Sequence, residues 1–259
     1  MHTIEKNGYY ASVDQRVESN SPAYKSIDLF VKEQMEKIRI DMEKKFGVKV
    51  KVFITNGHVY SDIVDFAKKK NIDLIVMVTH GISGVKELFI GSNAHRVVSL
   101  SEIPVITVRT GKSITDIKNI LLPIDDASHS REKVNVAMDI AKMYGAKIHL
   151  IGLPFSKKKD DVNEMEIKLK SVEKVIKEYK LPYITTIVHG KNLMESALKY
   201  GKSNKCDLIV INTGHESKTT GSFLGLLAQQ IINHSTIPVL SVRATEDNYL
   251  ITAPGYGIS

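Results

Sequence analysis

The residues best suited to chemistry lie in a glycine-containing segment that runs from Val78 to Ala94. Phosphate groups bind well where several backbone N–H groups converge at a helix N-terminus, and glycine lets the backbone approach them closely. A Gly-Ser pair directly before a predicted helix is one such place. We therefore predict an anion pocket in this segment, formed by Gly81, Gly91, Ser92 and Asn93. The alternative is that Gly91 and Ser92 only form a turn and a helix cap.

A long internal repeat explains why a degraded copy of this segment occurs at Asn212 to Ala228. Asp73 to Val76 recurs as Asp207 to Val210, a shift of 134 residues (207 − 73), and Ile103 to Val105 recurs at the same shift. One shift without gaps indicates a duplicated domain. We predict domains at 1–112 and 113–244, followed by a tail at 245–259. The tail is a loose extension, in which Tyr249 to Ile251 is suited to docking on the body.

The second copy predicts the elements that would position such a site. Short apolar runs alternate with amphipathic segments, which indicates a parallel sheet with right-handed crossovers. The predicted strands are 119–124, 147–153, 183–188, 207–211 and 238–242, and the predicted helices are 134–144, 162–179, 193–200 and 226–232. Five such strands form an open doubly wound α/β fold, whose ligands bind at the carboxyl ends of the strands near the topological switch point.

The first copy follows the same plan but starts late. Its predicted helix opens at Pro22 and stops at Gly47, with strands at 48–54 and 72–78 and the end of a strand at His2 to Lys6. The opening strand and helix are missing, so this copy lacks the counterpart of Asp125. We expect either a truncated sequence or another segment that fills the gap.

Composition and charge exclude several function classes. The formal net charge is +7, but many lysines follow a glutamate at a distance of four, as Lys168 follows Glu164, which is typical of a solvated helix face and not of a nucleic-acid surface. No apolar run approaches the roughly 20 residues of a membrane span. The single Cys206 fits a reducing cytoplasm. Histidine spacing predicts no metal site, and no serine-hydrolase motif is present.

The arrangement resembles the universal stress proteins. In that family the fourth strand ends in a glycine, followed by a second glycine two residues on and by Gly-Ser after nine more. Here Val78 stands at the first glycine, Gly81 at the second and Gly91 opens the Gly-Ser pair. The resemblance implies ATP or a related adenine nucleotide as ligand, with Mg²⁺ as its companion. It assigns Asp125, in the second copy's Leu-Pro-Ile-Asp run, to the adenine or ribose side.

The same resemblance implies that the second copy's loop is degraded. His215 stands at the second glycine and Leu226 at the serine, and a leucine cannot cap a helix through a hydroxyl, a loss of about 1 kcal/mol. Neither copy therefore holds a complete nucleotide site. The loop of the first copy is the better of the two, but that copy has no aspartate.

We accordingly expect a cytoplasmic stress-response protein that binds or senses an adenine nucleotide or another small molecule through degenerate sites. Two alternatives are a weak ATPase or self-phosphorylating enzyme, and a scaffold or lipid-binding protein that uses no nucleotide. Family members dimerise through their fifth strands, here 104–109 and 238–243. Antiparallel pairing of residues 105–108 with 239–242 should make an intrachain pseudo-dimer, and a further homodimer is left open.

Overall fold

The structure, a computed structural model, describes residues 2–5, 22–79, 91–110, 114, 116–126, 133–213 and 226–243. Predictions for Gly81, His215 and the tail lie outside these residues. Nine strands and seven helices are found in the described part of the chain. The strands are β1 (His2–Glu5), β2 (Ile54–Gly57), β3 (Ile75–Val78), β4 (Val105–Val108), β5 (Asn119–Ile124), β6 (Lys147–Gly152), β7 (Tyr183–Ile187), β8 (Leu208–Thr213) and β9 (Val239–Arg243). The helices are α1 (Pro22–Phe46), α2 (Val59–Lys69), α3 (Ser92–Leu100), α4 (Val134–Tyr144), α5 (Lys159–Glu178), α6 (Leu193–Ser203) and α7 (Leu226–His234).

A seven-stranded sheet carries most of the molecule, in the order β3-β4-β9-β8-β5-β6-β7. Strands β5 to β9 belong to the second copy and are all parallel to one another. Their order confirms the doubly wound α/β fold, because the chain begins at the central β5 and then builds outward on both sides. The predicted strands and helices of this copy are present, with ends that differ by a few residues.

Apolar periodicity places the core of the second copy. On one face of the sheet Ile120, Leu122 and Ile124 of β5 are fully buried beneath apolar residues of α4 and α5. Helix α4 ends at Gly145, whose φ of 65° is the left-handed conformation that a glycine C-cap supplies. The other face is covered by α6, whose Gly201 lies directly over the Leu121 side chain.

Antiparallel pairing joins the two copies within this one sheet, as expected. Val105 lies opposite Ser241 and Thr107 opposite Val239, and the Thr107 hydroxyl also donates to the Val239 carbonyl at 3.3 Å. Two arginine hydrogen bonds, related by an approximate two-fold axis, reinforce the pairing. Arg109 donates to the Asn233 carbonyl in the last turn of α7, and Arg243 donates to the Leu100 carbonyl at the end of α3. Each cation thus stabilises the helix C-terminus of the other copy.

The chain divides into two compact units, Met1–Phe66 and Ala67–Ser259. In the first, β1 and β2 form a separate parallel pair with His2 opposite Ile54. The strand predicted at 48–54 was wrong in its bounds, because β2 begins only at Ile54. The apolar stripe of α1 stays largely exposed, as at Phe30 and Phe46. No counterpart of β5 is found for the first copy among the described residues.

No helix among the described residues is long and apolar enough to cross a membrane.

Candidate functional site

Strands β5 and β8 are not paired at their carboxyl ends, and we call this unpaired end the crevice. β5 pairs with β6 along all six of its residues but with β8 only at Ile120 and Leu121. The two strands therefore part toward their carboxyl ends. Crossovers leave β5 and β8 on opposite faces of the sheet, so this gap is the topological switch point, the usual ligand position in doubly wound folds. Asp125 follows β5 directly and stands at the mouth of the gap.

The neighbouring Asp126 has a structural task. Its Oδ2 accepts the Phe155 backbone N–H at 2.6 Å, and its other carboxylate oxygen lies 3.6 Å from the Lys168 Nζ. Lys168 also donates to the Asp126 carbonyl at 3.0 Å. These contacts fix the turn after β5 against the turn after β6 and against α5. The half-buried Asp125 thereby keeps a defined position at the crevice.

Lys133, directly before α4, is buried at the same end of the sheet. Burial lowers the pKa of its ammonium group to about 8, and the charge of Asp125 acts in the opposite direction. A lysine is rarely buried without a charged neighbour, because desolvation of an ammonium group costs several kcal/mol. Lys133 therefore compensates the charge of Asp125 at the crevice.

Asn212 in β8 supplies the third polar group. Both its Oδ1 and its Nδ2 are buried, and neither has a hydrogen-bond partner among the residues that the structure describes. The register of Ile120 with Leu208 puts Asn212 level with Ile124, one residue before Asp125. A buried carboxamide without partners costs about 1–3 kcal/mol. A ligand that offers both an acceptor and a donor would recover that free energy.

The start of α3 in the first copy differs from the prediction that Ser92 caps this helix. The Gly91 N–H donates to the Thr79 carbonyl, which holds Gly91 beside the end of β3. Gly91 is the N-cap of α3, and no side chain caps this helix. Ser92 is therefore the exposed first residue of the helix and does not act as its cap. Asn93, half-buried, follows it.

The structure separates the predicted site residues into two groups. Val78, Gly91, Ser92 and Asn93 lie together around the carboxyl end of β3. Strands β3 and β4 run antiparallel to β9 and its parallel neighbours. The carboxyl end of β3 and Asp125 therefore lie at opposite ends of the strands. The two groups therefore do not form one site. The anion pocket of the first copy stays a prediction, because Gly81 lies outside the described residues.

Sequence reasoning did not predict the burial of Lys133 or of the Asn212 side chain. Asn212 carried a signal, since it occupies the position of a loop glycine at the end of an apolar strand. Lys133 carried none, because a lysine before an amphipathic helix is ordinarily solvated. In the described part of the chain no group of three or more His, Cys, Asp or Glu side chains is arranged to hold a metal ion.

Comparison with known proteins agrees with this fold. The family model of the universal stress protein family matches residues 2–109 and again residues 116–243. Universal stress protein YxiE of Bacillus subtilis is 43% identical over 63 residues, which are 24% of this chain and 43% of that protein. Universal stress protein MJ0577 of Methanocaldococcus jannaschii is 35% identical over 82 residues, 32% of this chain and 50% of that protein. The chain thus spans half or less of the length of these relatives.

A solved structure gives the likeness over the whole tandem. A universal stress protein from Archaeoglobus fulgidus superposes with a TM-score of 0.72 at 18% identity, covering 94% of this chain and 86% of that one. At this identity the likeness concerns the fold alone. The two family matches together span nearly all of both copies. The chain therefore belongs to the universal stress protein family, in which it carries two copies of the family domain in tandem.

Proposed function

We propose that this protein is a cytoplasmic stress-response binding module that holds the nucleoside part of an adenine nucleotide at the β5–β8 crevice. The observation that carries the proposal is the buried Asn212 carboxamide, whose two polar atoms lack partners in the described part of the chain. Its position beside Asp125, at the switch point of a doubly wound sheet, marks the place where a ligand would bind.

The chemistry of the crevice suits adenosine. A carboxamide can pair in a bidentate manner with the amino group and a ring nitrogen of adenine. A carboxylate accepts hydrogen bonds from neighbouring ribose hydroxyls. We assign adenine to Asn212 and ribose to Asp125, with Lys133 compensating the carboxylate charge. This assignment agrees with the role that the family resemblance gives to Asp125.

The phosphate part of the site supports only weak binding. His215 and Leu226 replace the glycine and the serine of the family's loop. An imidazole and an isobutyl group remove the open backbone that phosphates need. Most of the affinity should therefore come from the nucleoside, with ATP bound no more tightly than millimolar. Such a site suits the sensing of an abundant nucleotide better than its hydrolysis, which requires a complete phosphate loop.

Calorimetric titration of the full chain with adenosine and with ATP, with and without magnesium, tests this proposal. We expect dissociation constants for the two ligands that differ by less than about tenfold, which is 1.4 kcal/mol. Asp125→Ala should remove binding of both ligands. Glu166→Ala, which removes an exposed carboxylate of α5, is the matched control and should leave binding unchanged. Micromolar ATP binding with little affinity for adenosine would contradict the proposal.

A further inference from the structure

The two copies share a stretch of four residues, and two of these, a leucine and a valine, have opposite environments in the two copies. Leu208 and Val210 of β8 are fully buried, at 0% exposure, whereas their counterparts Leu74 and Val76 are 39% and 62% exposed. The sequence Asp-Leu-Ile-Val is identical at both places. The difference must therefore come from the neighbouring elements.

A second neighbouring strand is the difference that the described residues show. β8 lies between β5 and β9, and α4 covers its face toward Leu208. In the described part of the chain β3 pairs with β4 alone. Ile75 and Thr79 donate their backbone N–H groups to carbonyls on the β4 side. Because backbone N–H groups alternate in direction along a strand, those of Val76 and Val78 point away from β4. That side of β3 is open for one more parallel strand.

An aspartate at the start of β3 is positioned to receive such a strand. In the second copy the Asp207 Oδ2 accepts the backbone N–H groups of Lys118 and Asn119, both at 2.9 Å. This carboxylate thus fixes the start of β5 beside β8. Asp73 is its counterpart before β3, where no β5 equivalent is found among the described residues. The open position therefore includes an acceptor for the first amides of an incoming strand.

We propose that the C-terminal segment Tyr249–Ala253 fills this position as a parallel strand beside β3. The chain leaves β9 at Arg243, which lies at the start of β4 because the two strands are antiparallel. A strand parallel to β3 must begin at this same end of the sheet. The open position is three strand spacings from β9, about 14 Å. Residues 244–248 span up to about 17 Å when extended, which is enough to reach it.

The composition of this segment fits the position. Tyr249, Leu250, Ile251 and Thr252 combine aromatic, aliphatic and β-branched side chains, which favour a half-buried strand. Polar residues precede the segment, and Pro254 follows it as a stop. The segment lies beyond the second family match, which ends at residue 243, so it has no place in the family domain itself. By analogy with Asp207, Asp73 would accept the N–H groups of Asn248 and Tyr249.

Residue-resolved hydrogen exchange tests the assignment directly. The full chain is compared with a chain that ends at Arg243. We expect the amides of Val76 and Val78 to exchange at least about tenfold more slowly in the full chain, because pairing protects them. The amides of Ile75 and Thr79, which already donate toward β4, should exchange equally in both chains.

Two substitutions make the result specific. Ile251→Pro removes an amide and disfavours the strand, so it should reproduce the effect of truncation on Val76 and Val78. Ile258→Pro, beyond the proposed strand, is the matched control and should leave their exchange unchanged. Equal exchange in the full and shortened chains would overturn the proposal. Protection that survives truncation but falls on dilution would also overturn it, by assigning the position to a second copy of the chain.

Discussion

Lys133 shows how a single side chain links the site to stability. Its pKa falls from 10.5 to about 8 because the ammonium group is buried. A shift of this size corresponds to a cost on the order of 3 kcal/mol while the group stays charged. Such a cost is commonly tolerated at binding sites, where a charge serves the ligand at the expense of the fold.

We predict that Lys133→Met increases the free energy of unfolding by about 1–3 kcal/mol at pH 7, since desolvation of the ammonium group outweighs its attraction to the half-buried Asp125. Urea denaturation of the full chain measures the change. Lys142→Met, on the exposed side of α4, is the control and should change stability by less than about 0.5 kcal/mol. A loss of stability in Lys133→Met would show that the ammonium group is held by favourable contacts.

The gain from Lys133→Met should depend on pH. In the folded protein the pKa of Lys133 is about 8, below its ordinary 10.5, so between these values the unfolded chain binds more protons. Stability then rises with pH across this window, while at pH below 8 both states are charged and the full cost remains. We expect the stability difference between Lys133→Met and the natural chain to be largest below pH 8 and to shrink toward pH 10.5. A difference that is constant across the window would contradict the assignment.

At the scale of elements, close packing of α5 on the end of β6 leaves little room for a side chain at Gly152. A Cβ at Gly152 would lie 2.7 Å from the Met165 Cγ and 2.8 Å from the Leu169 Cδ1. Both side chains are in the buried core, so neither can move away without disturbing its neighbours.

We therefore predict that Gly152→Ala costs about 1–3 kcal/mol of stability through overpacking. Thermal or urea unfolding measures this cost. A double-mutant cycle with Met165→Ala gives the control, because the shortened side chain leaves room for the new methyl group. The double variant should then be more stable than the sum of the two single losses indicates. Strict additivity would show that the methyl group meets no steric resistance from Met165.

Elements of the second copy could be predicted from periodicity because their neighbours are all present. The first copy shows the limit of that reasoning. The run at 48–54 reads as a strand, yet Val50 donates its N–H to the Glu43 carboxylate at 2.9 Å instead of to a strand. Strand β2 forms later, where the four residues of β1 supply partners. Strand bounds depend on pairing partners far away in sequence, which local patterns do not contain.

At the scale of the whole molecule, the repeat predicted the duplication, and the family resemblance predicted the antiparallel pairing of residues 105–108 with 239–242, which is confirmed. The repeat did not predict how this pairing would place the two candidate sites relative to each other. Because the two copies pair antiparallel, the carboxyl ends of their strands lie at opposite ends of one sheet. The glycine segment at Gly91 therefore cannot complete the site at Asp125. The division into domains at 1–112 and 113–244 stays a prediction. Asp125 followed from the family resemblance, whereas Lys133 and Asn212 needed coordinates.

The central claim is that the crevice between β5 and β8 is the ligand site and that Asn212 faces the ligand. Two-dimensional ¹H–¹⁵N NMR spectra of the full chain, recorded during titration with adenosine, test it most directly. We predict saturable shifts of the Asn212 side-chain amide signals, assigned with Asn212→Asp, and the loss of these shifts in Asp125→Ala. Saturable shifts confined to the amides around Gly91, with the Asn212 signals unmoved, would contradict the account.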